Sequence, residues 1–278
     1  MKIRALLPIL AILSVSASGA AVLSGEDINR DGKVDALTQA SPTTTADGVT
    51  RNVAIKLSSK ATPITATVAS DSSNLNVYAA NGTVIVDRSD RSSRDGAELD
   101  YSSYRWDGDG AICLHTRVTG SLPDQLAGEL APKDVEVTRY PPCTKLGSDE
   151  LSSRAMPIGL ANRQALAELS TIKNDAEIPE YLAFELARQV NASTVTSIND
   201  AGYYQERAGH LQSALILLSA VHARFPNRVV AQLNLADTYW ELGDKAGACT
   251  LYASYLSGIR KGKAVPPRRA IDRSACPR

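Results

Sequence analysis

The feature that most narrows what this chain can fold into is an internal repeat. Residues 195–228 and 229–262 form two consecutive 34-residue blocks with no gap between them. Gly209 stands opposite Gly243, Ala214 opposite Ala248, and the pair Ala201-Gly202 opposite Leu235-Ala236. Leu218 falls opposite Tyr252, and Pro226, which closes the first block, falls opposite Arg260. Self-similarity at such a period means one supersecondary unit that buries its apolar side against a copy of itself. The Gly inside each block marks a turn, and the Ala, Leu, Glu and Gln around it are good helix formers. Each block therefore predicts helix on both sides of its Gly.

With Gly202, Ala236, Ala214 and Ala248 at positions 8 and 20, Gly at 15, and Pro at 32 in the first copy only, the pattern resembles the tetratricopeptide repeat. It departs from that family at position 4, where Ile198 and Gln232 replace the usual Trp. The resemblance implies a solenoid whose first helices line a concave groove for a protein or peptide partner. Carried over position by position, the groove residues are Thr196, Asn199, Tyr203, Glu206 and Arg207, then Val230, Leu233, Asp237, Trp240 and Glu241. Tyr203 and Trp240 would be apolar anchors; Glu206, Asp237 and Glu241 would receive Lys or Arg. The lysine-rich clamp that some members use for a terminal carboxylate is absent, since Asn199 and Leu233 stand at position 5. The rival reading of Trp240 is packing against a neighbouring helix. Two repeats are fewer than the three or so that a stack needs, so Tyr181–Val190 is expected as a capping helix.

The other end of the chain predicts a compartment. Lys2 and Arg4 precede an apolar run from Ala5 to Val15, and Ser16-Ala17-Ser18-Gly19-Ala20 is a small-residue stretch suited to cleavage. This is the layout of a secretory signal peptide over residues 1–20. Its apolar run is too short for the roughly 20 residues that span a bilayer. Export gives the four cysteines an oxidising setting. Three pairings are open to them, of which the sequential one, Cys113–Cys143 and Cys249–Cys276, keeps each bridge within one region. A periplasmic or secreted location follows.

Residues 21–145 read as a small antiparallel β domain. Asn52–Leu57 and Pro63–Val68 alternate at period two, and Leu75–Ala79 meets Thr83–Val86 across Asn81-Gly82, a tight-hairpin signal. Ala111–Val118 and Val135–Val137 give further strands. Ahead of them lies Asp27-Ile28-Asn29-Arg30-Asp31-Gly32-Lys33-Val34-Asp35. Oxygen side chains recur at loop positions 1, 3, 5 and 9 with Gly at 6, as a hard cation requires. Thr38 stands where an EF-hand has its bidentate Glu. The segment instead resembles the calcium loops of FG-GAP or VCBS-type repeats, followed directly by a short strand over Val34–Leu37. That resemblance implicates Asp27, Asn29, Asp31 and Asp35 in a structural Ca²⁺ site; the rival is a metal-free acidic turn. Trp106-Asp107-Gly108-Asp109-Gly110 reads as a hairpin turn.

Beyond residue 145 come a linker and helical segment (146–177, with Arg163–Leu169 helical), the repeat-bearing domain (178–262) and a basic tail (263–278). The fold class predicted is α+β, a small antiparallel β domain followed by a tetratricopeptide-like helical domain. The tail reads as a solvated helix end. Thirty basic and thirty acidic residues exclude a protein built to neutralise nucleic-acid phosphates, and 5% aromatics leave few stacking platforms. The sequence holds no GxSxG elbow, HExxH or phosphate-binding Gly loop, and His115, His210 and His222 are dispersed. The reading is an exported, non-enzymatic binding or scaffold protein. The alternative is an envelope hydrolase, or a dedicated inhibitor of one, with its working surface on the β domain.

Overall fold

The computed structural model describes residues 21–275, apart from 47, 72, 73, 81, 91–96, 109, 125–128, 130, 142, 149–154 and 260–264. The expected signal peptide (1–20) and Cys276 therefore lie outside the described residues. The architecture is α+β: two antiparallel sheets, then helices.

One sheet holds β1 (Ala21–Glu26), β2 (Asp35–Gln39), β3 (Thr43–Thr45), β4 (Gly48–Lys56) and β5 (Ile64–Ser70). Its order is β1-β2-β4-β3, with β5 also paired to β4. The other holds β6 (Asn76–Ala80), β7 (Thr83–Asp87), β8 (Glu98–Trp106), β9 (Ile112–Ser121) and β10 (Lys133–Arg139), in the order β10-β9-β8-β7-β6. The β6–β7 hairpin runs in the expected register, Val77 opposite Val86 and Ala80 opposite Thr83, and Gly82 takes a φ of 68° that a side chain would strain. Period-two alternation turns Leu37, Val53 and Ile55 of the first sheet and Val77, Val84, Val86, Tyr104 and Leu114 of the second into one buried core. Each such side chain contributes about 1.5–3 kcal/mol through burial. Cys113 and Cys143 form the expected disulfide with their Cα atoms 4.8 Å apart. Backbone bonds from Leu114 N to Thr144 O (2.7 Å) and Leu146 N to Ile112 O (2.9 Å) stitch the same two segments.

The chain divides into two compact units, and the division differs from a boundary at residue 145. Residues 91–99 and 116–139 belong with the helices, whereas 100–115 and 140–153 belong with the first sheet. Within the helical unit an ion network ties β10 to the first helices. Arg139 at the end of β10 is 3% exposed, and its Nε donates to both carboxylate oxygens of Glu185 at 2.6 and 2.8 Å. Its Nη2 donates to Glu168 at 3.0 Å, and the Tyr181 hydroxyl donates to the other Glu168 oxygen at 2.7 Å. Burial pushes the Glu185 carboxyl up against the opposing pull of Arg139. Removing either partner would strand a buried charge.

Those two glutamates lie on α1 (Ile158–Leu169) and α2 (Glu180–Ala187). Then come α3 (Val195–Ala208), α4 (Leu211–Arg224), α5 (Val229–Leu242), α6 (Lys245–Ile259) and α7 (Arg268–Arg273). The starts of α3 and α5, and of α4 and α6, fall at the 34-residue offset. Gly209 and Gly243 end α3 and α5 in the left-handed conformation, at φ 88° and 93°. A Cβ at Gly202 would stand 2.6 Å from Leu218 Cγ, so this residue sets how closely α3 and α4 approach. Ala214, Ala236 and Ala248 are fully buried in the α4–α6 core with Leu215, Leu218, Leu235 and Tyr252. The expected cap, α2, packs on α4.

Candidate functional site

The carried-over positions split between the two repeats. On α3, Tyr203 is 37% exposed and its ring meets that of Tyr204, 5.4 Å away, edge to face. Arg207 is exposed in the last turn, and Glu206 is half-buried. Burial pushes the Glu206 carboxyl up, and the nearby carboxylates of Asp237 and Glu241 push it further. Asn199 departs from expectation: it is 1% exposed, and its amide donates to Asp200 at 3.3 Å. A residue so enclosed belongs to the packing beneath the surface.

On α5 the departure is larger. Leu233 is half-buried against the α4–α6 core. Asp237 is only 6% exposed, and the Tyr252 hydroxyl of α6 donates to its Oδ1 at 2.6 Å. Arg269 Nε donates to both of its oxygens at 3.1 Å, and Arg269 Nη2 to Oδ2 at 2.8 Å. Arg273 adds a longer ion pair at 3.8 Å and another to Glu241 at 3.7 Å. The Trp240 ring lies 6.4 Å from that of Tyr252, with the Arg273 guanidinium 4.6 Å from its centroid and Lys245 Nζ 4.1 Å from it. The described part of the basic tail is thus not wholly a solvated end, although Arg268 is exposed. It forms α7, whose Ala270 is buried in the α4–α6 core and whose Arg269 and Arg273 pair with the α5 acids Asp237 and Glu241.

Sequence reasoning missed Tyr252, Arg269 and Arg273 as members of this cluster. Tyr252 stands opposite Leu218 in the repeat, and that exchange of an apolar side chain for a phenol was the available signal. For the arginines it was Pro266-Pro267 before Arg-Arg-Ala-Ile-Asp-Arg, a helix start followed by two arginines one turn apart. Burial, and then donation to Asp237, push the Tyr252 phenol well above its ordinary value, so it stays a donor at every physiological pH.

The Asp27–Asp35 loop is closed by its own side chains. Asp27 accepts from Asp31 N (3.0 Å) and Gly32 N (2.8 Å), and Asn29 Oδ1 accepts from Asp31 N (3.2 Å). Asp35 is 2% exposed and accepts from Ile28 N (2.8 Å), Asn29 N (3.1 Å) and Ser58 N (2.7 Å). Asp31 accepts from Lys33 N (2.9 Å) and the Ser58 hydroxyl (2.7 Å); the latter above all holds its carboxyl below the usual range. Among the described residues, the acids, histidines and cysteines whose ligand atoms gather in threes within 4.8 Å are Asp107, Cys113 and Cys143. Asp27, Asp31 and Asp35 are not among them; in this structure their oxygens accept from backbone N–H groups. The Asp107 group is no metal site, because its sulfurs form the disulfide. Asp107 Oδ1 instead accepts from Gly110 N and Ala111 N at 3.0 Å each, as a hairpin turn needs.

The histidines remain apart in role. His115 Nε2 lies 3.4 Å from Arg105, and His210 Nε2 lies 3.3 Å from the Asp175 carbonyl. His222 is half-buried on α4, where burial lowers its pKa. A cavity of about 330 Å³ opens beside α1 and α3, lined by Leu166, Leu169, Ile172, Ile178, Ala201 and Tyr204. Cys249 is fully buried and disulfide-bonded. Among the described residues, no helix is long and apolar enough to cross a membrane. Comparison of the chain with protein-family models, curated proteins and solved structures gave no match.

Proposed function

We propose that this protein is an exported, non-enzymatic binding or scaffold protein, and that it docks a protein or peptide partner on the α3 side of a tetratricopeptide-like helical domain. The observation that carries the reading is the exposed pair Tyr203 and Tyr204, set beside the partly buried acid Glu206 and the exposed Arg207. Large aromatics that the core does not use, next to charges of both signs, are the usual anchors of a partner. The repeat offset and the close α3–α4 approach at Gly202 support the family reading. The buried disulfide-bonded cysteine and the Cys113–Cys143 bridge support an oxidising compartment.

A photo-crosslinking side chain placed at Tyr203, in the full chain expressed in its own host, tests the reading. The control is the same group at Tyr78, an equally exposed position on β6. A discrete adduct at Tyr203 with none at Tyr78 is expected. Adducts at Tyr78 alone would move the working surface to the β unit, as the hydrolase or inhibitor reading requires.

A further inference from the structure

We propose that the cavity between α1 and α3 binds a short apolar peptide with both ends free. Its side chains rest on a wall of leucine and isoleucine, its carboxylate meets Lys173 and its ammonium meets Asp200. The site goes beyond the docking surface proposed above and does not depend on it: Tyr204 lines the cavity, whereas Tyr203 does not.

The space follows from how little α1 covers. Of its 12 residues α1 buries Ala165, whereas α2, with 8, buries Tyr181 to Leu186 without a break. Leu166 and Leu169 are therefore half-buried, and with Ile172 and Ile178 they wall a cavity of about 330 Å³. That volume stands at the lower end of the roughly 300–1,000 Å³ of small-ligand pockets, so it suits a peptide of roughly two or three residues. The floor is fixed by α3 and α4. Gln205, 1% exposed, accepts from Ile178 N and donates to Ala176 O, both at 2.8 Å. Ser213 Oγ donates to Ile178 O at 2.6 Å. These bonds pin the end of the segment that carries Ile172, Lys173 and Ile178, so a ligand need not order it.

The rim decides what the apolar wall receives. Lys173 and Asn174, exposed between α1 and α2, and Asp200, exposed on α3, all line the cavity. Among the described residues the Lys173 ammonium meets no carboxylate, and the Asp200 carboxylate has the Asn199 amide, at 3.3 Å, and no cation. An apolar wall flanked by one unpaired cation and one unpaired anion complements a zwitterion with an apolar body. A fatty acid would use Lys173 alone, and an apolar amine Asp200 alone. A short peptide uses both, and the side-chain amide of Asn174, which can donate and accept, suits the peptide bond between its ends.

The probe is leucyl-leucine, titrated by calorimetry into the full chain with disulfides intact. It is expected to bind at least tenfold more tightly than glycylglycine, which brings no side chain to the wall. Converting its carboxylate to an amide, or its ammonium to an acetamide, should each weaken binding about threefold, the scale of an exposed ion pair. Lys173→Gln should erase the penalty for the amide and keep that for the acetyl group, and Asp200→Asn should do the reverse. Both changes fall on exposed side chains, so the variants should fold as the unmodified chain does. No binding of leucyl-leucine at millimolar concentration, or no preference for it over glycylglycine, would overturn the proposal. Equal binding of the blocked and free peptides would overturn it too, leaving a cavity that does not read charge, as would penalties that persist in both variants. Each of these results could stand beside a Tyr203 adduct, so this inference can fail while the docking function survives.

Discussion

The two copies of the repeat place their side chains alike and use them differently. Tyr203, Glu206 and Arg207 of the first occupy the positions that Asp237, Trp240 and Glu241 hold in the second. In the first copy Tyr203 and Arg207 are exposed, and Glu206 is half-buried. In the second, Asp237 is enclosed by Tyr252 and Arg269, and Trp240 has Arg273 and Lys245 against its ring. Position within a repeat fixes the direction in which a side chain points. What lies in that direction depends on the next element of the chain, and α7 follows only the second copy. Exposure is therefore a property of the neighbourhood and not of the repeat.

The comparison can be broken first at the small positions between paired helices. Gly202 and Ala236 are equivalent, yet a Cβ at Gly202 would meet Leu218 at 2.6 Å whereas Ala236 sits fully buried. Gly202→Val should cost about 1–3 kcal/mol through overpacking, a drop of several degrees in Tm. Ala236→Gly should cost about 1 kcal/mol or somewhat more, from helix propensity and a small void. Thermal melts of the two variants compare the copies directly. If Gly202→Val melts like the unmodified chain, α3 and α4 do not pack this closely.

A smaller effect sharpens the electrostatic side. The folded state raises the pKa of Glu206 through burial and the repulsion of Asp237 and Glu241, so folding favours its protonated form. Its contribution is fully present below the unfolded value of about 4.5 and is lost as pH rises through the raised folded value. At neutral pH the ionised carboxylate thus opposes folding. Glu206→Gln should melt slightly higher than the unmodified chain at pH 7, by less than about 2 °C, and the difference should vanish below pH 4. Because the group is half exposed, solvent limits the size of the effect. A variant that melts lower at pH 7 would show that Glu206 serves a cation.

The same contrast shows what local sequence carries. The α3–α4 and α5–α6 pairs were legible because Gly209 and Gly243 mark the turns and the small residues recur at a fixed offset. Most strands of the β unit were legible from alternation. β8 was not: Ser102 and Ser103 are both fully buried in mid-strand, which breaks the apolar pattern. The buried Arg139–Glu185–Glu168 network spans 46 residues of sequence, and charges of that kind read as surface until their partners are found. The Asp27–Asp35 loop was found by its oxygen spacing, but spacing cannot say whether those oxygens face a cation or backbone N–H groups. The site on α5 was half legible for a like reason. Its acids and its Trp follow from the repeat, whereas the arginines that meet them come from a segment outside it.

That α7 rests on the second copy through Arg269 and Asp237 is the claim on which this difference between the copies depends. A double-mutant cycle on the full chain, using Asp237→Asn, Arg269→Ala and the pair together, measures it most directly. Denaturant unfolding of the four proteins should give a coupling energy of about 1–3 kcal/mol, as expected for a forked, partly buried ion pair. A coupling below about 0.3 kcal/mol, with all four proteins folded, would mean that α7 does not occupy the α5 face in solution.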